Sequence, residues 1–319
     1  MNAPPLLVSF TSVEKYIEAL PISHQDKYSG NIKELYSRGF PPIVSKLCLA
    51  ILFGYSSDFI YTLSTKPNKF YRSFSIRNGK KTRQIFAPKV ALKVIQKWFS
   101  THLSKVIEFQ PHVVGFIKGK SFADASKIHI GARWVLSVDI VNFFSSIHKD
   151  DVVQSLILEN YSSKSAELIA NLCCLNGVLA QGSPASPILS NLFMKDIDVK
   201  LVELSQKYNI CISRYADDIT FSGKNDYSEN LLQDLEEIFN GSNLKLNTQK
   251  TYFSDASKGQ RLKVHGLLVQ QDKIALTKSY RNKLRAYKHM IKNEKVAEKD
   301  IKRLTGHINF SEFIESNQK

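Results

Sequence analysis

The spacing of apolar residues changes period along this chain, and each change predicts an element. Leu92, Ile95, Phe99 and Leu103 recur at helical spacing while Lys93 and Lys97 fall off that stripe, so a helix is predicted over about Val90 to Val106. Trp98 is read as core rather than as a platform for stacking a base. Residues 1–65 also read as helical. Thr11 or Ser12 can cap a helix to about Leu20, Pro41-Pro42 can open a second that Gly54 ends, and Ser56-Ser57-Asp58 can cap a third. Residues 150–175 read as apolar helical scaffold, and a long helix is expected from about Pro187 to Lys207.

Elsewhere the period drops to two. Residues 70–87 alternate around Asn78-Gly79, a strong hairpin signal, with Arg72 on one strand and Lys80, Lys81 and Arg83 on or beside the other. Residues 132–140 read as a buried strand that delivers Asp139 at its end. Ile210, Ile212 and Arg214 lead into Tyr215-Ala216-Asp217-Asp218, and Ile219, Thr220, Phe221 and Ser222 follow. Two such runs around a short turn predict a second hairpin with Asp217 and Asp218 at its tip. Helical spacing returns in Tyr280, Leu284, Tyr287 and Ile291, which crowds Arg281, Arg285, Lys288 and Lys292 onto other faces.

Charge adds what the pattern cannot. The 319 residues carry a formal net charge of +15, which points to a polyanionic partner, nucleic acid or an anionic membrane. No amphipathic helix with a membrane-type apolar face stands out, so nucleic acid is the expected partner. Between residues 273 and 303 there are eleven Lys or Arg and three acids, a segment suited to phosphate contacts. Cys48, Cys173, Cys174 and Cys211 form no CxxC pair, which argues against a zinc site or a disulfide framework. Reduced thiols and a cytoplasmic location are expected, with neither signal peptide nor membrane span.

The candidate chemistry lies in the acids. Adjacent carboxylates repel unless a cation neutralises them, and hard oxygen ligands suit Mg²⁺. On the tetrapeptide alone, a solvated turn and a metal-holding pair explain Asp217 and Asp218 equally well. Asp139 shifts the balance, because three acids suffice for a site in which two ions about 3.5–4 Å apart clamp the attacking and leaving oxygens.

From about Tyr71 to about Phe310 the chain resembles the reverse transcriptases. Asp139 with Phe143-Phe144 resembles the first palm motif, and Gln181-Gly182-Ser183-Pro184-Ala185-Ser186-Pro187 followed by Ile188-Leu189-Ser190-Asn191 the second. Tyr215-Ala216-Asp217-Asp218 resembles the third, Leu244-Lys245-Leu246-Asn247-Thr248-Gln249-Lys250-Thr251 the fourth, and Leu262-Lys263-Val264-His265-Gly266-Leu267 the primer-grip hairpin. Each is weak or moderate alone, and their shared order makes the resemblance specific. Within that family the chain is most similar to the bacterial retron enzymes. Leu304-Thr305-Gly306-His307-Ile308-Asn309-Phe310 fits their Leu-x-Gly-x-x-x-Phe run after a short basic thumb. Two departures stand out. Ala125-Ser126-Lys127-Ile128-His129 keeps only the His of their Asn-Ala-x-x-His, and Val264-His265-Gly266 replaces Val-Thr-Gly.

The resemblance implies an α+β right-hand polymerase. Residues 1–65 would form an N-terminal helical region, 66–130 fingers, 131–255 the palm, and 256–319 the primer-grip hairpin and basic helical thumb. Asp139, Asp217 and Asp218 would hold two Mg²⁺ ions. Arg72, Arg83, Phe144, Gln181, Gly182 and Lys250 would meet the dNTP, with Phe144 under the deoxyribose and Lys250 near the leaving pyrophosphate. His129, His265, Gly266, Arg281, Arg285 and Lys288 would meet nucleic acid. The template and primer would be a structured noncoding RNA, the product a short DNA joined to RNA, and the setting defence against phage with a separate effector protein. Other readings are another bacterial reverse transcriptase, diversity-generating or intron-type, a polymerase of RNA, or a nonenzymatic RNA-binding scaffold. The intact acids argue against the last.

Overall fold

A computed structural model describes residues 2–79, 81–294 and 296–316. Contacts divide the chain into two compact units: Met1–Phe109, Asn142–Asp196 and Gly241–Leu244 in the first, Gln110–Val141, Ile197–Asn240 and Lys245–Lys319 in the second. The boundaries expected near 65, 130 and 255 do not coincide with those of this division.

The first unit opens with helices set by their caps. Ser12 caps α1 (Val13–Glu18) by accepting from the Lys15 amide. A second helix, α2 (Ile22–Ser37), carries no broad apolar stripe, since only Ile32 and Leu35 are buried, and periodicity therefore does not announce it. Pro41-Pro42 does not open the next helix. Ser45 does, accepting from the Cys48 amide at the start of α3 (Lys46–Phe53), which ends at Gly54 in the left-handed region with φ +67°. Ser56 caps α4 (Ser57–Thr65). The strands β1 (Tyr71–Asn78) and β2 (Lys81–Pro88) pair antiparallel with Asn78 opposite Lys81, so the turn is centred one residue beyond Asn78-Gly79. Lys80 lies outside the described residues. The predicted helix is α5 (Val90–Val106), and Trp98 is fully buried on it.

The second unit begins with α6 (Phe122–Lys127) and β3 (Trp134–Asp139). The chain then returns to the first unit for α7 (Lys149–Leu158), α8 (Ser163–Cys173), the short pair β4 (Cys174–Leu175) and β5 (Val178–Leu179), and α9 (Ser186–Phe193). The long helix expected from Pro187 to Lys207 is interrupted at Met194, where α10 (Lys195–Lys207) begins anew. The remaining elements are β6 (Cys211–Tyr215), β7 (Asp218–Gly223), α11 (Asn230–Phe239), β8 (Tyr252–Asp255), β9 (Lys263–Val264), β10 (Leu267–Val269), β11 (Ile274–Leu276), α12 (Lys278–Lys292) and α13 (Glu298–Ser316).

Strands β6-β7-β3-β8 form a fully antiparallel sheet in that order, and β11-β10-β9 form a second. Alternation gives the larger sheet two characters. Trp134, Leu136, Val138, Ile219 and Phe221 share one face and are buried. The other face carries Asp139, Ser137, Asp218, Thr220, Ser222 and Ser213. At its far end Val135 packs with Ala132, Leu262, Val264 and Val269, which joins the two sheets. A further cluster of Ala123, Leu267, Ile274, Leu276, Leu284 and Ile314 ties α6, α12 and α13 to the small sheet. Strands β8 and β11 are not announced by pattern, because runs of four and three residues are too short to show a period. Among the described residues no single helix is long and apolar enough to cross a membrane.

Candidate active site

The acids meet because of strand register. Asp139 is the last residue of β3 and pairs across with Asp218, the first residue of β7, which in turn pairs with Tyr215 of β6. Only Asp217 sits with Ala216 in the turn, so the tip carries one acid and the sheet edge carries the other, where the sequence suggested both at the tip. The Ile140 amide donates to the Asp217 carbonyl at 3.0 Å, tying the turn to the end of β3.

Ala216 has φ +60° in the left-handed region and is nearly fully buried. A residue with a Cβ is strained there and is held only where its surroundings over-determine it. Two features hold it. Gly115 packs so closely that a Cβ on it would meet the Ala216 nitrogen at 2.2 Å, so only glycine fits. Arg214, fully buried, donates from Nη1 to the Ala216 carbonyl at 3.2 Å, and from Nε and Nη2 to the two carboxylate oxygens of Asp198 on α10, each at 2.6 Å. His112 Nε2 lies 3.3 Å from the same Asp198 carboxylate. The Arg214 carbonyl accepts from the amides of Val114 and Gly115. Arg214 is visible only as a strand residue in the sequence. The signal was available: Ile210, Ile212 and Arg214 share one parity, so a buried face must take the guanidinium and supply its partner.

The charges are unevenly compensated. Asp139 Oδ1 accepts from Lys250 Nζ at 2.5 Å and from Asn247 Nδ2 at 3.2 Å, and the Asn247 amide donates to the Asp139 carbonyl at 2.7 Å. Asn247, unassigned in the sequence reading, thus orients the first acid. Among the described residues no Lys or Arg makes such a contact with Asp218. Burial, then the charges of Asp217 and Asp139, push its carboxyl up from 3.8 to about 6, against a smaller opposing pull from Lys250. Among the described residues no three His, Cys, Asp or Glu side chains converge closely enough to hold an ion as they stand. The donor chemistry nevertheless fits a hard divalent cation: three carboxylates lie on adjacent positions, and one is charge-starved.

The other expected residues divide. Lys250 joins the acids. His265 does too, but not as an outward RNA contact. It occupies the left-handed region with Gly266 in the β9–β10 turn, at φ +48° and +83°. Its ring packs on Tyr215 at 5.2 Å and places Nδ1 3.8 Å from Asp218 Oδ2, and burial lowers its pKa to about 4, so it is neutral at pH 7. His129 is corrected outright. It is fully buried, its two ring nitrogens lie 2.7 and 2.8 Å from the Ser222 and Ser213 hydroxyls, and burial lowers its pKa to about 3. It pins the polar face of the sheet and offers nothing to RNA. Arg281, Arg285 and Lys288 are exposed on α12.

Arg72, Arg83, Phe144, Gln181 and Gly182 belong to the first unit. Arg72 and Arg83 are exposed on β1 and β2. Phe144 is half-buried against Phe143 at 5.5 Å. The Gln181 carbonyl accepts from the Phe86 amide at 2.8 Å, and Gly182, at φ +118°, lies so near Phe86 that a Cβ would meet its carbonyl oxygen at 2.8 Å.

The sequence pattern of the reverse transcriptase (RNA-dependent DNA polymerase) family matches residues 76–300. Retron Ec86 reverse transcriptase of Escherichia coli is 29% identical over 266 residues, covering 83% of this chain and 80% of its own. Retron Se72 reverse transcriptase of Salmonella heidelberg (strain 579083-10) is 27% identical over 269 residues, covering 82% and 71%. Among solved structures, telomerase from Candida albicans superposes with a TM-score of 0.46 at 11% identity, over 69% of this chain and 50% of that one. The foamy viral protease-reverse transcriptase in complex with RNA/DNA hybrid gives 0.43 at 17% identity, over 75% and 27%.

Two outcomes are expected. Arg214→Met leaves the Asp198 carboxylate buried without its guanidinium and should cost about 3–5 kcal/mol in chemical denaturation, whereas Arg214→Met with Asp198→Leu should recover most of that loss. A single variant as stable as the parent would refute the pair's role. Carboxyl NMR of the metal-free protein should show one acid titrating near pH 6. That signal should vanish in Asp218→Asn and move to lower pH in Asp217→Asn. Because this carboxyl holds its proton more tightly folded than unfolded, its contribution to stability is lost as pH rises from about 4 through about 6.

Proposed function

The chain belongs to the reverse transcriptase family and is an RNA-directed DNA polymerase, and on that premise we propose that it copies a structured noncoding RNA into a short DNA by phosphoryl transfer at Asp139, Asp217 and Asp218. The observation that supports this most directly is the register pairing of Asp139 with Asp218 beside the strained Ala216-Asp217 turn.

The three carboxylates would hold two Mg²⁺ ions. When bound, such ions lower the pKa of the primer hydroxyl and stabilise charge on the transferring phosphate. The protein's own groups do the rest. Asn247 donates to Asp139 and orients its carboxylate. Lys250, paired with Asp139 in this structure, is the cation available to neutralise the leaving pyrophosphate. Arg72 and Arg83 offer guanidinium forks suited to the triphosphate of a dNTP. Gln181 meets the nucleotide or template, and Gly182 lets the backbone approach it. Phe144 lies under the deoxyribose, where a ribose 2′-OH would clash. Arg281, Arg285 and Lys288 contact phosphates of the RNA.

The likeness to retron enzymes extends the proposal. The noncoding RNA serves as template and primer, synthesis starts from an internal 2′-OH, and the product is DNA joined to RNA. The complex serves defence against phage together with a separate effector protein.

Asp139→Asn and Asp217→Asn should each abolish Mg²⁺-dependent primer extension with dNTPs while leaving RNA affinity within about twofold, since affinity comes from phosphate contacts. Extension at the parent rate by either variant refutes the assignment, and a parent that prefers NTPs would instead be a polymerase of RNA. Phe144→Ala and Phe144→Val should admit ribonucleotides, read as the ratio of dGTP to rGTP incorporation. An unchanged ratio would make Phe144 a core residue only.

A further inference from the structure

We propose that a basic cleft in the second unit, distinct from the acidic row, holds a single-stranded segment of the RNA substrate. Two adjoining cavities of about 450 and 420 Å³ share Gln260, Arg261, Leu268 and Lys278 as walls. Both volumes fall in the range of ligand sites. Lys263 completes one and Arg281 the other, and no Asp or Glu lines either. None of these four cations takes part in an ion pair among the described residues. Neither cavity is lined by Asp139, Asp217, Asp218, Lys250 or His265.

The arrangement follows from periodicity. Leu262 and Val264 point into the core, so Arg261 and Lys263 project from the opposite side of the same strand segment. On α12 Leu284 points inward, and Lys278, Arg281, Arg285, Lys288 and Lys292 recur every three or four residues on an exposed stripe. That stripe spans roughly 21 Å at 1.5 Å per residue. Its first two members are the cleft's own wall. A single phosphate would use one end of this row, whereas a sugar–phosphate backbone uses all of it. Tyr252, nearly half exposed on the edge strand β8, lines the cleft beside these cations. An aromatic face among cations suits an unpaired base stacked above its own backbone. An acidic peptide would have no use for it.

The choice of RNA over DNA rests on the proposed noncoding RNA substrate. The test separates the two sources of the same chemistry. Fluorescence anisotropy with labelled single-stranded oligo(U) RNA and oligo(dT) DNA is measured on the full chain from low to high salt. Arg261→Glu should weaken oligo(U) binding about tenfold and flatten the salt slope by at least roughly 0.7, the share of one phosphate contact on a single strand. Tyr252→Leu should weaken it about tenfold with the slope unchanged, since stacking releases no counterions. Lys200→Glu, an exposed charge reversal on α10, should stay within about twofold of the parent. Thermal unfolding should be unchanged in all three, and extension of a pre-annealed primer–template should survive in Tyr252→Leu. If neither Arg261→Glu nor Tyr252→Leu alters binding, or if Lys200→Glu weakens it equally, the cleft is not a site. Loss of oligo(dT) binding alone assigns the cleft to the DNA strand and overturns the RNA assignment. A parent that binds oligo(U) through the cleft yet extends no primer would refute the polymerase reading and leave the cleft standing.

Discussion

Crowding of like charge at one end of a sheet is the constraint that the second unit is organised to satisfy. Register places Asp139 directly opposite Asp218, and Asp217 follows in the turn. Water would screen this repulsion, but Asp139 is buried and Asp218 is partly so. Lys250 and Asn247 hydrogen-bond Asp139, and Lys250 offsets only a smaller part of the burial and repulsion acting on Asp218. The imbalance appears as the raised pKa of Asp218, and it is the physical reason a divalent cation would be drawn to this edge. A site fully neutralised by protein groups would have no such demand.

Geometry has to be fixed before that demand is useful, and the fixing is done from behind. The turn carries a buried alanine in a conformation that alanine resists. Its carbonyl is anchored by Arg214, which also donates to both carboxylate oxygens of Asp198, and Gly115 lies against the turn too closely for a Cβ to fit between. A buried ion pair contributes little net stability against a well-packed apolar substitute. Its value here lies in direction: a guanidinium fork with fixed donor angles sets where the Ala216 carbonyl, and therefore Asp217, must be. On the other face His129 clamps Ser213 to Ser222 across two strands and does the same for the sheet.

The surface follows a separate logic. Fixed acids cannot hold a polyanion, so affinity has to come from cations placed elsewhere. The exposed stripe on α12 and the cations on the segment leading into β9 are the groups proposed to supply it. Their positions follow from the packing of Leu284, Leu262 and Val264, because residues that alternate with buried ones have no other place to go. The proposed function thereby divides binding and chemistry between different charges.

Several elements were determined by the sequence alone. The helix of residues 90–106, the strand ending in Asp139, the existence of a hairpin carrying Asp217 and Asp218 and the basic face of α12 all follow from strong periodicity or turn chemistry, which are local properties. The three acids were legible for the same reason: each stands at the end of an apolar run, where a charge has no packing role. Tertiary structure decided the rest. The short strands β8 and β11 exist because neighbours complete them. His129 looked like an RNA ligand by its motif and is instead a core residue, since two serines distant in sequence meet its ring. His265 faces Asp218 only because two separate hairpins meet, and Asp198 becomes the partner of Arg214 only when α10 packs on β6. Sequence spacing fixes which face a residue takes on its own element. What that face meets depends on elements far along the chain, and a local pattern carries no record of them.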